Sequence, residues 1–203
     1  QDKKINLLEI GVQNGGSLEV WSKYFQKAER IIGCDINEDC RKLSYSDKRI
    51  EVLIGDATNN DFCEKNFSSL SLDVIIDDGA HTSESVIKAF CLFFDRLKYG
   101  GKYIIEDLHC SYWQNYQGGL KYPYSSMSFL KKLADIVNHE HWNNNQESNA
   151  LLTDYFKEYK VFIPEKQLTE IASVKFINSM CVIEKKSSEK NEIGKRNVTG
   201  TIA

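Results

Sequence analysis

Asp77-Asp78-Gly79-Ala80-His81 and, further along, Glu106-Asp107 are the residues of this chain whose types and spacing are equipped for chemistry. Each acidic cluster closes a run of strand-like residues, so two strand ends lying side by side would gather their carboxylates. Carboxylates held that close repel one another and are costly to desolvate unless a cation joins them. An all-oxygen set of this kind suits a hard divalent ion such as Mg²⁺.

The elements that must position these groups lie on either side of them. Residues 72–76 and 103–105 are β-branched or aromatic and short, the pattern of strands buried on both faces of a parallel sheet. Between them Val86, Ile87, Phe90, Phe93, Phe94 and Leu97 recur at helical spacing, with Thr82 or Ser83 as N-cap and Gly100 as the C-terminal stop. In open α/β sheets ligands bind outside the carboxyl ends of strands, which is where Asp77, Asp78, His81, Glu106 and Asp107 fall.

The same alternation opens the chain, with strands over 5–10, 30–34 and 50–54 followed by helices from Ser17, from Asn37 and near Asp61. Residues 107–124, rich in aromatic residues and glycine, read as a long loop over the carboxyl edge of the sheet. A helix over 126–138 follows, then a polar loop over 143–148 and a helix over 151–159. Segments 170–177 and 180–184, joined by Asn178-Ser179, read as an antiparallel hairpin. The expected fold class is α/β: a Rossmann-like, doubly wound, mainly parallel seven-stranded sheet ending in an antiparallel β-hairpin. Residues 1–185 form the expected catalytic domain and 186–203 a polar, aperiodic tail. Because the first strand begins almost at the first residue, a preceding segment or a longer parent protein is expected.

A second set of residues points to a nucleotide-like ligand. Glu9-Ile10-Gly11-Val12-Gln13-Asn14-Gly15-Gly16-Ser17 joins the first strand to a helix whose apolar stripe is Leu18, Trp21 and Phe25. Glycines there let the backbone turn tightly and approach a ligand at a helix N-terminus. Read as GxGxxG, the loop matches at Gly11 and Gly16 but carries Gln13 where a glycine makes room for pyrophosphate, which argues against NAD or FAD. A ligand with adenosine and no pyrophosphate escapes that objection. Asp35 ends the second strand, suited to ribose hydroxyls, and Asp56-Ala57 ends the third, suited to the adenine amino group.

Composition narrows the function classes. The chain has 203 residues, 41% of them hydrophobic, enough for one domain with a real core. A formal net charge of -3 gives no sign of a nucleic-acid or membrane partner. No apolar stretch approaches the roughly 20 residues of a membrane span, and no signal-peptide pattern opens the chain. The six cysteines form no CxxC pair, so reduced, mostly buried thiols and a cytoplasmic location are expected. Asn197-Val198-Thr199 matches the glycosylation triplet, a pattern short enough to arise by chance.

Taken together, these motifs resemble the class I S-adenosylmethionine-dependent methyltransferases over nearly the whole chain. More narrowly, Asp77-Asp78-Gly79-Ala80-His81, Tyr103-Ile104-Ile105-Glu106-Asp107-Leu108-His109, Ser111-Tyr112-Trp113 and Met127-Ser128-Phe129-Leu130-Lys131 resemble the metal-dependent sugar O-methyltransferases that tailor macrolide antibiotics. Ala80 stands where that family commonly has Ser, and Cys110 where it commonly has Thr. The resemblance implies S-adenosylmethionine as cofactor, held around Glu9, Gly11, Gln13, Asn14, Gly15, Ser17, Asp35, Asp56, Ala57 and Asp77. It implies Asp78, Glu106 and Asp107 as Mg²⁺ ligands, His81 as general base, and a sugar-containing small molecule as acceptor. Tyr112, Trp113, Tyr116, Tyr122 and Tyr124 would supply stacking faces to that acceptor, and self-association into a homo-oligomer is compatible with it. Two other classes compete: a non-haem iron oxygenase using Asp78, His81 and His109, and a cofactor-binding module without turnover inside a larger biosynthetic protein.

Overall fold

A computed structural model describes residues 3–191, 193–194 and 199–201. Its strands are β1 (Asn6–Ile10), β2 (Arg30–Asp35), β3 (Ile50–Ile54), β4 (Leu72–Asp77), β5 (Leu97–Ile105), β6 (Ile171–Ile177) and β7 (Met180–Lys185). They form one sheet in the order β3-β2-β1-β4-β5-β7-β6. The first five run parallel, and β7 is antiparallel to both β5 and β6. The helices are α1 (Gly16–Tyr24), α2 (Asn60–Phe67), α3 (Ser83–Phe93), α4 (Ser126–Ile136), α5 (Thr153–Tyr159), α6 (Glu165–Thr169) and α7 (Ser188–Asn191). The α/β class, the seven strands and the terminal hairpin match the sequence-based expectation.

Why the strands read as continuous apolar runs is visible in the packing. Successive side chains point to opposite faces, and both faces are covered: Leu7, Ile31 and Ile76 enter one apolar cluster, Leu8, Ile32 and Ile75 the other. The order reverses between β1 and β4, the switch point at which open sheets leave a crevice. Register sets Ile10 beside both Cys34 and Asp77, and Asp77 beside Ile105. Gly11, Asp35, Asp78 and Glu106 therefore emerge together along one edge.

Several expected boundaries move, each for a local reason. Thr82 is the cap of α3, its hydroxyl accepting the Ser85 N–H at 3.2 Å. Gly100 does not stop that helix. The chain leaves α3 through a single 3₁₀ turn, Phe94–Arg96, and enters β5 at Leu97. Gly100, with φ +84, lies inside β5 where pairing with β4 jumps from Leu72↔Leu97 to Val74↔Lys102, so it serves a bulge. The helix expected from Asn37 is a 3₁₀ stretch, Glu38–Lys42, because Leu43 already returns to extended backbone. Residues 151–159 divide into a 3₁₀ turn, Ser148–Leu152, and α5. α6, which follows Pro164, is too short to show periodicity and was not expected. The start of the polar tail docks on the body. Asn191 Nδ2 donates to the carbonyls of Thr169 and Ile171, both at 2.9 Å, and Ile193 N–H donates to Glu140 at 2.9 Å. Asn197 and Val198 of the glycosylation triplet lie outside the described residues.

All six cysteines are free and buried, consistent with the reading of reduced thiols. Among the described residues no helix is long and apolar enough to cross a membrane. The far end of the sheet is tied by a buried ion pair: Lys185 Nζ lies 3.4 Å from Glu170 Oε2 and donates to the carbonyls of Phe94 and Asp95, both at 3.1 Å. Lys185 and Glu170 are only 3% and 4% exposed. Removing one partner strands the other charge, so Lys185→Ala is expected to lower stability by about 3–5 kcal/mol. Urea unfolding measures this, and a loss below about 1 kcal/mol, the value of a surface pair, would show that the pair does not hold the edge.

Candidate active site

A cleft of about 840 Å³ runs along the carboxyl ends of β3, β2, β1 and β4. Of the expected cofactor residues, Gly11, Gln13, Asn14, Ser17, Asp35, Asp56, Ala57 and Asp77 line it, together with Asp78, His81 and Asp107. Glu9 and Gly15 are not on its wall. Glu9 is buried beneath it, accepting from Ser17 Oγ at 2.7 Å and Trp21 Nε1 at 3.0 Å, and so ties β1 to the start of α1. Burial raises its carboxyl, those two hydrogen bonds oppose the rise, and the charges of Asp78 and Glu106 add to it. Gly15, at φ +78, is the left-handed residue before α1, where a Cβ would collide with the Tyr45 hydroxyl.

Asp35 organises the glycine loop. Its Oδ2 accepts the N–H groups of Val12 at 2.7 Å and Gln13 at 3.0 Å, and its Oδ1 that of Asn37 at 2.8 Å. Burial works to raise its carboxyl, but these amide donors outweigh it and hold the group below the ordinary carboxylate range. Asp56 Oδ1 accepts both the N–H and the hydroxyl of Thr58, at 2.8 and 2.7 Å.

At the other end Asp78, His81 and Asp107 converge, with one ligand atom from each within 4.8 Å of the others. His81 Nε2 lies 3.9 Å from Asp78 Oδ1 and 3.9 Å from Asp107 Oδ2. The expected trio of Asp78, Glu106 and Asp107 is thus altered: Glu106 stands outside this group and His81 inside it. Adjacent residues of an extended strand point to opposite sides, and Asp107 turns away from that course with a left-handed backbone, φ 48 and ψ 33. Burial raises the Asp78 carboxyl, His81 opposes the rise and Asp107 adds to it; Glu106 is raised by burial and then by the charges of Asp78 and Asp107. Asp77 is 4% exposed, and burial pushes it up to about 7, opposed by the Gly79 N–H and the Tyr103 hydroxyl. A divalent cation reverses the electrostatics that destabilise these carboxylates, so Asp78, Asp107 and the neighbouring Glu106 fit one, with the His81 imidazole beside them.

His109 is outside the convergent group, with Nδ1 2.6 Å from Ser179 Oγ, so the two-histidine triad of an iron oxygenase is not assembled. In the aromatic loop Tyr112, Trp113 and Tyr122 are exposed, whereas Tyr124 packs edge-on against Tyr155 with centroids 6.0 Å apart. The 3₁₀ turns Leu108–Tyr112 and Gln114–Tyr116 give the loop a defined path, and Gln117 Oε1 accepts the Glu84 N–H at 3.0 Å at the start of α3. Tyr103, Thr82 and Ser179 went unread as site residues: a tyrosine within a strand and a serine in a turn carry no sequence signal beyond core and connection.

Residues 8–108, which carry the cleft and both acidic clusters, match the family described as a methyltransferase domain. The chain belongs to the methyltransferase family. The chain is 32% identical over 163 residues to the 8-demethyl-8-alpha-L-rhamnosyl tetracenomycin-C 2'-O-methyltransferase of Streptomyces olivaceus, covering 76% of this chain and 42% of the relative. It is 31% identical to the mycinamicin VI 2''-O-methyltransferase of Micromonospora griseorubida, over 69% of this chain and 37% of that one. The chain thus spans less than half the length of the curated relatives it matches. Its fold superposes with a TM-score of 0.77 on the MycE methyltransferase of the mycinamycin pathway in complex with Mg and SAH, at 24% identity over 95% of this chain and 46% of that one.

The glycine-loop end and the acidic end of the cleft meet at Gly11. Its φ is +92, and a Cβ there would collide with the backbone carbonyl of Asp78. Gly11→Ala is therefore expected to cost at least about 2 kcal/mol. Thermal melts check this; an unchanged midpoint would show that the close approach does not matter.

Proposed function

We propose that this protein transfers the methyl group of S-adenosylmethionine to a hydroxyl of a sugar-bearing small molecule, with the help of Mg²⁺. The observation that carries the reading is the convergence of Asp78, His81 and Asp107 at one end of a cleft whose other end offers the Gly11 loop, Asp35 and Asp56. Asp35 and Asp56 would hold the adenosyl part, and Asp77 and Asp78 line the same cleft toward the acidic cluster. Relatives that methylate sugar hydroxyls of glycosylated natural products support the choice of acceptor.

Asp78 and Asp107, with Glu106 beside them, would hold the cation, which would supply positive charge that lowers the cost of removing the acceptor hydroxyl's proton. His81 takes that proton at Nε2, and the two flanking carboxylates stabilise the imidazolium that results. The hydroxyl oxygen then forms its bond to the methyl carbon as the carbon–sulfur bond breaks, releasing S-adenosylhomocysteine as the neutral thioether. The residues supply alignment and proton removal, and no covalent bond forms to the protein.

Two variants test the assignment on a glycosylated acceptor with Mg²⁺ present. Asp78→Asn is expected to lower turnover by about 100-fold while cofactor affinity, read by calorimetry, stays within about threefold. His81→Gln is expected to lower turnover by about 100-fold with metal affinity retained. Near wild-type turnover in Asp78→Asn would overturn the metal assignment. Loss of metal affinity in His81→Gln would make His81 a ligand rather than the base.

A further inference from the structure

We infer that Ser179, in the turn between β6 and β7, is a positioning residue that holds Asp107 in its metal-facing conformation; the inference rests on the metal reading above. Asp107 sits at φ 48 and ψ 33, a left-handed conformation that costs a non-glycine residue roughly 1–2 kcal/mol and needs outside support. That support is a clasp on the peptide that follows it. The Asp107 carbonyl accepts the Cys110 N–H at 2.9 Å, and on the other side of the same peptide the Leu108 N–H donates to the Ser179 carbonyl at 2.8 Å. With both ends of the peptide plane bonded, rotation about ψ of Asp107 is blocked.

The Ser179 side chain adds a second contact. Its Oγ lies 2.6 Å from His109 Nδ1, and the same nitrogen lies 3.8 Å from Asp107 Oδ1. The imidazole is thereby fixed alongside the Asp107 carboxylate. Ser179 is itself left-handed, at φ 64, so its carbonyl reaches Leu108 only because the turn takes this uncommon shape. The topology makes the reach possible. β7 pairs antiparallel with β5, Cys181 beside Ile105, which brings the β6–β7 turn to the strand end that carries Glu106 and Asp107.

The three variants separate the two contacts. Ser179→Gly keeps the left-handed backbone and its carbonyl but removes Oγ; Ser179→Val opposes the left-handed conformation; Ser179→Asn, whose residue type tolerates it, tests rescue. Mn²⁺ serves as the probe, titrated into the protein and followed by the paramagnetic resonance of free ion, with S-adenosylhomocysteine affinity measured by calorimetry. Ser179→Val is expected to weaken Mn²⁺ binding by about tenfold or more, Ser179→Gly by less, and Ser179→Asn to fall nearest the parent, with cofactor affinity unchanged in all three. Should Ser179→Val fail to fold, Ser179→Gly and His109→Gln carry the test through the lost Oγ–imidazole contact. Parental Mn²⁺ affinity in every folded variant would overturn the clasp. Absence of Mn²⁺ binding by the parent would overturn the metal reading and the clasp with it.

Discussion

The close approach of the β1 and β4 ends is the constraint on which the rest of this molecule depends. The Asp78 N–H donates to the Ile10 carbonyl at 2.9 Å, and the next residue, Gly11, leaves open the space that the Asp78 carbonyl occupies. The strands must stay parallel and in register for this contact, and the reversal of strand order between them opens the crevice above it. One backbone seam therefore joins the glycine loop to the acidic cluster, and the distance between them is set by the geometry of the sheet rather than by a moving part.

Carboxylates in the two halves of this cleft are held in opposite states by their surroundings. Asp35 accepts three backbone N–H groups and is held below its usual range despite burial. Asp77, Asp78 and Glu106 are raised by burial first and by neighbouring negative charge as well. A carboxylate already paired with amides is suited to a neutral hydrogen-bond donor such as a sugar hydroxyl, since it brings little unbalanced charge. Carboxylates that repel one another gain most from a cation. Sorting the acids by what surrounds them thus separates the two ends of the cleft by their chemistry.

The strands and the acidic positions were legible in the sequence because the parallel strands are short apolar runs and those of β2, β3, β4 and β5 stop at or near an acid. Thr82, Asn37 and the Asn178-Ser179 connection were legible for the same reason, being short polar residues where periodicity changes. What depended on tertiary contact was not legible. Gly100 looked like a helix stop because nothing local distinguishes a cap glycine from one that accommodates a bulge between β4 and β5. Glu9 looked like a ligand residue because its strand-end position says nothing about which way it points; Ser17 and Trp21 claim it from beneath. Glu106 and Asp107 looked equivalent until the backbone turned between them.

That turn belongs to a wider pattern. Gln13, His81 and Asp107 all line the cleft, and all three have left-handed backbones, at φ 49, 54 and 48. Glycine would adopt each conformation at lower cost, so the presence of side chains there calls for a reason. At Asp107 and His81 the reason is the functional group itself. The left-handed turn carries each side chain off the line of its strand and toward Asp78, a direction that extended backbone does not offer to consecutive residues. Two of the three are held by a specific neighbour: the Gln13 N–H by Asp35, the peptide after Asp107 by Ser179. At those two residues strain and restraint coincide. The Asp107 carboxylate therefore loses its freedom to turn away from Asp78 when the protein folds, rather than when a ligand arrives.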